Sequence, residues 1–313
     1  MKIIEKVGQF LQRLKTVGFF AIKIMKWLEN ENIKISSTGL FGSWCLHKPS
    51  RTLFDCGDGT AMQLGHRIFA PERIFIGHSH MDHLSGLLAF IGLRNRTKGA
   101  NEKPLGIYGN MADPNIRKYA SFVSSFYPQG QLKYKLTFND IRPMGSVELD
   151  DKSYIVAFKT EHTEWSMGFC FCRISHRLAP GVDPNTIGKR IRSGEVSRES
   201  VTVRSDIKEF AYVLDCSGFD YADVAGVKEI VLDCTFLSED HRDEKTHMTF
   251  EECKAAIRAV SCRRAYLAHL SPRYGFPMGS IIVWDEKNGL SLDGRPLSDV
   301  ELELAVQRAN TKE

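Results

Sequence analysis

From Ile3 to Leu28, apolar residues recur alternately four and three positions apart (Ile3, Val7, Phe10, Leu14, Val17, Ala21, Ile24, Leu28), the spacing of one helical face. Ile4, Leu11 and Met25 widen the stripe, while Lys2, Lys6, Arg13, Lys15, Lys23 and Lys26 occupy the other faces against the single acid Glu5. The pattern predicts an amphipathic N-terminal helix within residues 1–32. Its apolar stripe is expected to pack on the chain's own body or on a second copy, which would make a homodimer. Contact with a membrane surface is the less favoured use of the same face.

After Asn32 the texture changes to short β-branched and aromatic runs: IKISST, TLFDCG, RIFIGH, LGIYG, SYIVAF, FAYVLD, EIVLDC and AYLAHL. Helical spacing over 60–67, 84–95, 114–126 and 249–260 separates some of them. Strands and helices alternating in two successive halves predict an α/β sandwich, with two sheets face to face and helices outside, spanning residues 33–313. Residues 177–209 interrupt the alternation. With two prolines, three glycines, seven basic residues and little periodicity, they predict an exposed arm inserted into the domain.

Composition narrows the picture only modestly. The 313 residues are 42% hydrophobic and 26% charged, which is enough for a large core, and a net charge of +4 permits an anionic substrate without requiring one. Eight scattered cysteines with no CxxC pair read as reduced thiols. No stretch has the form of a cleavable signal or reaches the roughly 18 apolar residues of a spanning helix, so the expected location is cytoplasmic.

The chemistry concentrates in His78-Ser79-His80-Met81-Asp82-His83, behind the apolar run RIFIG. His78 and His80, two apart at a strand end, point to one side and can grip a cation through neutral imidazole nitrogens. Asp82 and His83 follow in a turn and can face a second cation. Catalytic zinc commonly takes three protein ligands, so four such groups suggest two metals, with the missing ligands supplied from elsewhere. His162, Asp215 and His269 each stand at or just past a predicted strand end and are the candidates to complete the sets.

This HxHxDH motif, with FDCGDGT at 54–60, the stretch 91–109 and the later strand-end residues in order, resembles the metallo-β-lactamase fold and within it the ribonuclease Z branch. The resemblance implies an αββα sandwich and two divalent ions, Zn2+ first and Mn2+ or Mg2+ as alternatives. His78, His80 and His162 would hold one ion, Asp82, His83 and His269 the other, and Asp215 would bridge. Asp55 would orient ligands from behind. Two cations roughly 3.5 to 4 Å apart activate water and stabilise charge growing on a phosphate. Asp82, from within the metal set, and His247 are the catalytic candidates; His247, in KTHMTFEE, resembles the family's His-Ser-Thr motif and is expected to act as general acid or phosphate contact. Arg273 and Tyr274 are candidate phosphate contacts.

The chain departs from the family pattern in three places. Leu232-Asp233-Cys234-Thr235 stands where His-Glu-Ala-Thr is usual, GLFGSWCLHKPSRT replaces a proline- and arginine-containing loop associated with a tRNA's CCA end, and the segment between His162 and Asp215 is short for a tRNA-gripping arm. The function implied first is an endoribonuclease cutting near the 3′ end of precursor tRNA. The chain is also similar to phage anti-Pycsar enzymes, which implies as the alternative a phosphodiesterase for a small cyclic nucleotide.

Overall fold

The computed structural model describes residues 26–96, 103–127, 130–242 and 244–311. Among them, one sheet carries β1 (Leu28–Glu29), β2 (Ile33–Thr38), β3 (Gly42–His47), β4 (Thr52–Phe54), β5 (Arg73–Phe75), β6 (Leu105–Gly109) and β7 (Leu136–Asp140), side by side in that order. The second runs in order through β8 (Ser146–Asp150), β9 (Ser153–Lys159), β10 (Met167–Leu178), β11 (Thr202–Val213), β12 (Glu229–Asp233), β13 (Arg264–Ala268), β14 (Ile282–Asp285), β15 (Gly289–Leu292) and β16 (Arg295–Pro296). β4 to β7 are parallel, as are β11 to β13. The helices are α1 (Thr60–Leu64), α2 (Met81–Leu84), α3 (Leu87–Arg96), α4 (Pro114–Phe126), α5 (Pro184–Arg192), α6 (Phe250–Val260) and α7 (Asp299–Asn310).

The period-two pattern of the strands explains the layering. Phe54 and Phe75 face inward, joining Ile33, Ile35, Phe169, Phe210, Tyr212 and Val231 between the sheets. Their neighbours Leu53 and Ile74 face outward beneath Leu64, Phe90, Ile91 and Val123 of α1, α3 and α4. On the other side, Ile230, Leu232 and Leu267 lie beneath Cys253, Ile257, Leu302 and Ala305 of α6 and α7. Strands buried on both faces read as continuous apolar runs, which is why they stood out in the sequence. The architecture is the expected αββα sandwich.

The structure corrects the sequence reading at the N-terminal end. The predicted helix lies mostly on residues 1–25, outside the described residues, but Leu28, placed on its stripe, is in β1. There it pairs with Ile35 and packs against the inter-sheet core. A four-three apolar spacing cannot distinguish its last member from the first residue of a strand. The arm at 177–209 is more ordered than expected. β10 and β11 continue as an antiparallel ladder out to Leu178↔Thr202, and α5, capped by Asp183, sits at the tip.

Candidate metal centre

The loops leaving β4, β5, β9, β11 and β13 converge at one edge of the sandwich. Asp55, Asp215 and His269, just past β4, β11 and β13, adopt left-handed backbone with φ of 55°, 51° and 64°. Such a conformation costs an L-residue roughly 1 kcal/mol or more, and here it turns three side chains off their strand ends toward one point. Beneath them the 55–60 loop and the metal loop touch backbone to backbone. A Cβ on Gly57 would lie 1.9 Å from the Asp82 carbonyl oxygen, and one on Gly86 2.1 Å from that of Gly57, so glycine is required at both.

Ligand-type atoms of His78, His80, His162 and Asp215 lie within 4.8 Å of one another, as do those of Asp82, His83, Asp215 and His269. Asp215 belongs to both groups. His78, His83, Asp215 and His269 are almost fully buried, whereas His80 is exposed. His78 and His80 stand in the loop beyond β5 rather than on it, and Asp82 and His83 lie on the single turn α2.

Three of the rings, His83, His162 and His269, are held from behind. His83 Nδ1 donates to Asp55 Oδ2 at 2.7 Å, and the same carboxylate accepts from Tyr212 Oη at 2.7 Å and Gly77 N at 2.8 Å. His162 Nδ1 donates to the Thr246 carbonyl at 3.0 Å, and His269 Nδ1 to Thr235 Oγ1 at 2.8 Å. The opposite nitrogens therefore face the shared space. Among the described residues, the buried atoms His78 Nε2, His83 Nε2 and Asp215 Oδ1 have no aligned hydrogen-bond partner there. His83 Nε2 lies 3.1 Å from Asp215 Oδ2 and His269 Nε2 lies 3.2 Å from Asp215 Oδ1. Without aligned hydrogen bonds these buried groups remain costly, and a cation accepting their lone pairs removes that cost.

The electrostatics agree. Burial pushes His78 well below the ordinary imidazole value, the neutral state that a ligand needs. Burial opposes ionisation of Asp215, yet the imidazoles of His269 and His83 hold its carboxyl well below the usual range. Burial also opposes a charged His83, but Asp215 and Asp55 outweigh it and raise that ring well above its ordinary value. The carboxylates thus call for positive charge in this cavity. The donors are nitrogen and oxygen with no thiolate, a set that fits zinc and similar divalent ions.

His247 closes one side. Its ring centroid is 4.9 Å from that of His162 and 5.1 Å from that of His269, so it touches both groups. Its Nδ1 donates to Asp233 Oδ2 at 2.7 Å, and Asp233 is fixed by Cys216 N, Thr235 N and Thr235 Oγ1 at 2.8 to 3.0 Å.

Residues 50–270 match the family of β-lactamase superfamily domains. The chain belongs to this superfamily. This chain is a hydrolase of that superfamily, and it is similar to relatives on the ribonuclease Z side. It is 27% identical over 248 residues to ribonuclease Z of Bacillus cereus (strain B4264), covering 71% of this chain and 78% of that one. A comparable match, 27% over 249 residues, is to ribonuclease Z of Bacillus thuringiensis (strain Al Hakam). Among solved structures, human tRNase Z, short form, superposes with a TM-score of 0.53 at 18% identity, over 77% of this chain and 92% of that one. The metallo-β-lactamase fold protein YhfI from Bacillus subtilis gives 0.52 at 15%, over 76% and 86%. These structural likenesses bear on the fold.

Against the superfamily pattern, the Asp233 substitution proves compatible with contact, since the shorter carboxylate still reaches His247. Sequence reading treated Asp233 only as a departure and overlooked Thr235 and Tyr212. A signal existed: Leu214-Asp215-Cys216 and Leu232-Asp233-Cys234 repeat one tripeptide at the ends of the adjacent parallel strands β11 and β12. The phosphate-contact expectation fails for Tyr274. It is fully buried, and its hydroxyl accepts from Leu237 N at 2.8 Å and bonds His241 Nδ1 at 3.1 Å, so it packs the 237–241 loop. Arg273 donates to the His241 carbonyl at 2.9 Å and stacks over Phe236.

Among the described residues no helix is long and apolar enough to cross a membrane.

Proposed function

We propose that the protein is a two-metal phosphodiesterase of ribonuclease Z type that cleaves RNA, with the 3′ region of precursor tRNA as its substrate. The observation that carries this reading is that the two ligand groups built on the metal loop share Asp215, with His247 in ring contact with both. A third group, Asp215, Asp233, His247 and His269, overlaps them, and in it His247 Nδ1 is already bonded to Asp233. His78, His80 and His162 would hold one ion and Asp82, His83 and His269 the other, with Asp215 between them. Such ions, zinc first among them, supply Lewis-acid activation of water and neutralise charge on the phosphate.

The chain's own residues do the rest. Asp55, Thr246 and Thr235 fix the tautomers of His83, His162 and His269. With Nδ1 committed to Asp233, His247 has Nε2 left to face the substrate, where it protonates the departing oxygen. The arm would carry the RNA body. Lys189, Arg190 and Arg192, in the last turn of α5, are exposed and stand away from the strand-end site, as phosphate contacts on a bulky substrate should.

A second reading, hydrolysis of a small cyclic nucleotide, is favoured by one observation. The β2–β3 turn, where the related enzymes carry a basic loop, is here the apolar pair Leu40 and Phe41, exposed beside Gly39, which packs against His269. Separate incubation with precursor tRNA and with a panel of cyclic mononucleotides tests the choice. Endonucleolytic cleavage of the RNA is expected, and turnover confined to cyclic nucleotides would overturn the RNA assignment.

A further inference from the structure

Arg242 makes no contact with the candidate ligands, yet its side chain is only 5% exposed. Its Nη1 donates to the main-chain carbonyl of His247 at 2.9 Å and to Glu252 Oε2 at 2.7 Å. Its Nη2 donates to Glu239 Oε1 at 2.6 Å and to Glu252 Oε1 at 3.2 Å. Glu252 also accepts from Thr249 N at 2.9 Å in the capping box that starts α6. One guanidinium thus ties the 239–241 turn, the His247 peptide and the first turn of α6 together.

The carbonyls of two consecutive residues are both committed. That of Thr246 accepts from His162, and that of His247 accepts from Arg242. On the far side, Phe236 N donates to the Met248 carbonyl at 3.3 Å and Phe250 N to that of Phe236 at 2.8 Å. The His247 ring is anchored by Asp233, and its backbone by Arg242. A ring held at one end only can pivot, and a misplacement of about 1 Å can cost on the order of 10²-fold in rate.

We infer that Arg242 is a positioning residue that sets the reach of His247 Nε2 toward the leaving oxygen. The inference rests on the general-acid reading of His247 given above. A planar fork is needed, because a carbonyl and two carboxylates are gripped in different directions at once, which a single ammonium cannot do.

The test uses the full chain with its metal sites loaded, in four forms besides wild type: Arg242→Gln, Arg242→Lys, His247→Ala, and Arg242→Gln combined with His247→Ala. Each is assayed on a diester with an alkoxide leaving group and on a nitrophenyl diester, with melting temperatures recorded. Arg242→Gln is expected to lower kcat on the alkoxide diester roughly 10- to 100-fold. On the nitrophenyl diester, which needs little protonation, the change should stay within about threefold. Added to His247→Ala, it should cost nothing further, because the residue acts through that imidazole. Arg242→Lys keeps a charge between Glu239 and Glu252 and should show the same split in smaller degree; it decides the matter if the glutamine variant does not fold. Equal losses on both substrates, or additivity with His247→Ala, would overturn the inference. If His247→Ala splits the two substrates and neither Arg242 variant does, the positioning role alone falls. If His247→Ala shows no split, the general-acid reading falls and takes the inference with it.

Discussion

The strand-end rim and the β10–β11 arm are built on opposite principles. At the rim, buried side chains are each held by more than one partner: Asp55 by His83, Tyr212 and Gly77, and Asp233 by His247, Thr235 and Cys216. Left-handed backbone at Asp55, Asp215 and His269 is tolerated because the surroundings leave no alternative. The arm is a two-stranded ladder with a short helix, exposed on nearly all sides, and its ion pairs such as Arg190–Glu195 are solvent-screened. A preorganised rim is suited to chemistry, and a solvated charged arm to holding something large and anionic. Under the proposed function, reaction type and substrate choice would reside in separable parts of the molecule.

That separation can be broken in a graded way. The largest effect is expected from His80→Ala: a loss of about 10³-fold or more on every diester, large or small, because several kcal/mol of transition-state stabilisation depend on an intact metal set. The His80 side chain is exposed and hydrogen-bonds only His162 among the described residues, so the melting temperature of the metal-free protein should barely move. Near wild-type turnover would remove His80 from the site. Next in size, His247→Ala should cost roughly 10² to 10⁴ on an unactivated diester and far less on a nitrophenyl one. Equal costs would leave His247 a binding residue.

The arm should behave differently. Neutralising Lys189, Arg190 and Arg192 together is expected to weaken RNA binding and flatten its dependence on salt, each lost phosphate contact lowering the slope by roughly 0.9 or less. Turnover of a small diester should stay the same. An unchanged salt slope would mean that the arm does not grip RNA.

The smallest effect concerns stability beneath the arm's base. His47, buried at the end of β3 and stacked on Phe210 at 4.6 Å, is pushed down to about 3 by burial, with the charge of Arg173 adding to it. Its folded-state value lies below the ordinary 6.5, so the unfolded chain binds the extra proton between those limits. The contribution is fully present above pH 6.5 and is lost as pH falls toward 3. Denaturant titrations at pH 4 to 7 should show wild type losing up to about 1.4 kcal/mol per pH unit more than His47→Gln. Parallel slopes would refute this.

What could be read from sequence follows from what each part is made of. Strands buried on both faces, such as EIVLDC and AYLAHL, are uninterrupted apolar runs and announced themselves. β3 did not, because GSWCLH mixes small and polar residues that become buried only when β2 and β4 flank it. The outer halves of β10 and β11 were hidden by charges that a solvated hairpin tolerates, whereas the inner half of β10, MGFCFC, is buried and apolar and was open to reading. The candidate ligands were legible because histidines and aspartates at successive strand ends are unusual. Their supports, Thr235, Tyr212 and Thr246, were not, since a hydroxyl or a carbonyl gains its role only from what folds against it. Tyr274 shows the converse: a polar residue near a ligand in sequence can point into the core.

The central claim is a pair of cations sharing Asp215, and the most direct measurement is the metal stoichiometry of the stripped and reloaded protein. Zinc titration followed by elemental analysis is predicted to saturate at two ions per chain, and His80→Ala should lower the occupancy of the site formed with His78 and His162. Saturation at one ion per chain, or at none, would contradict the account.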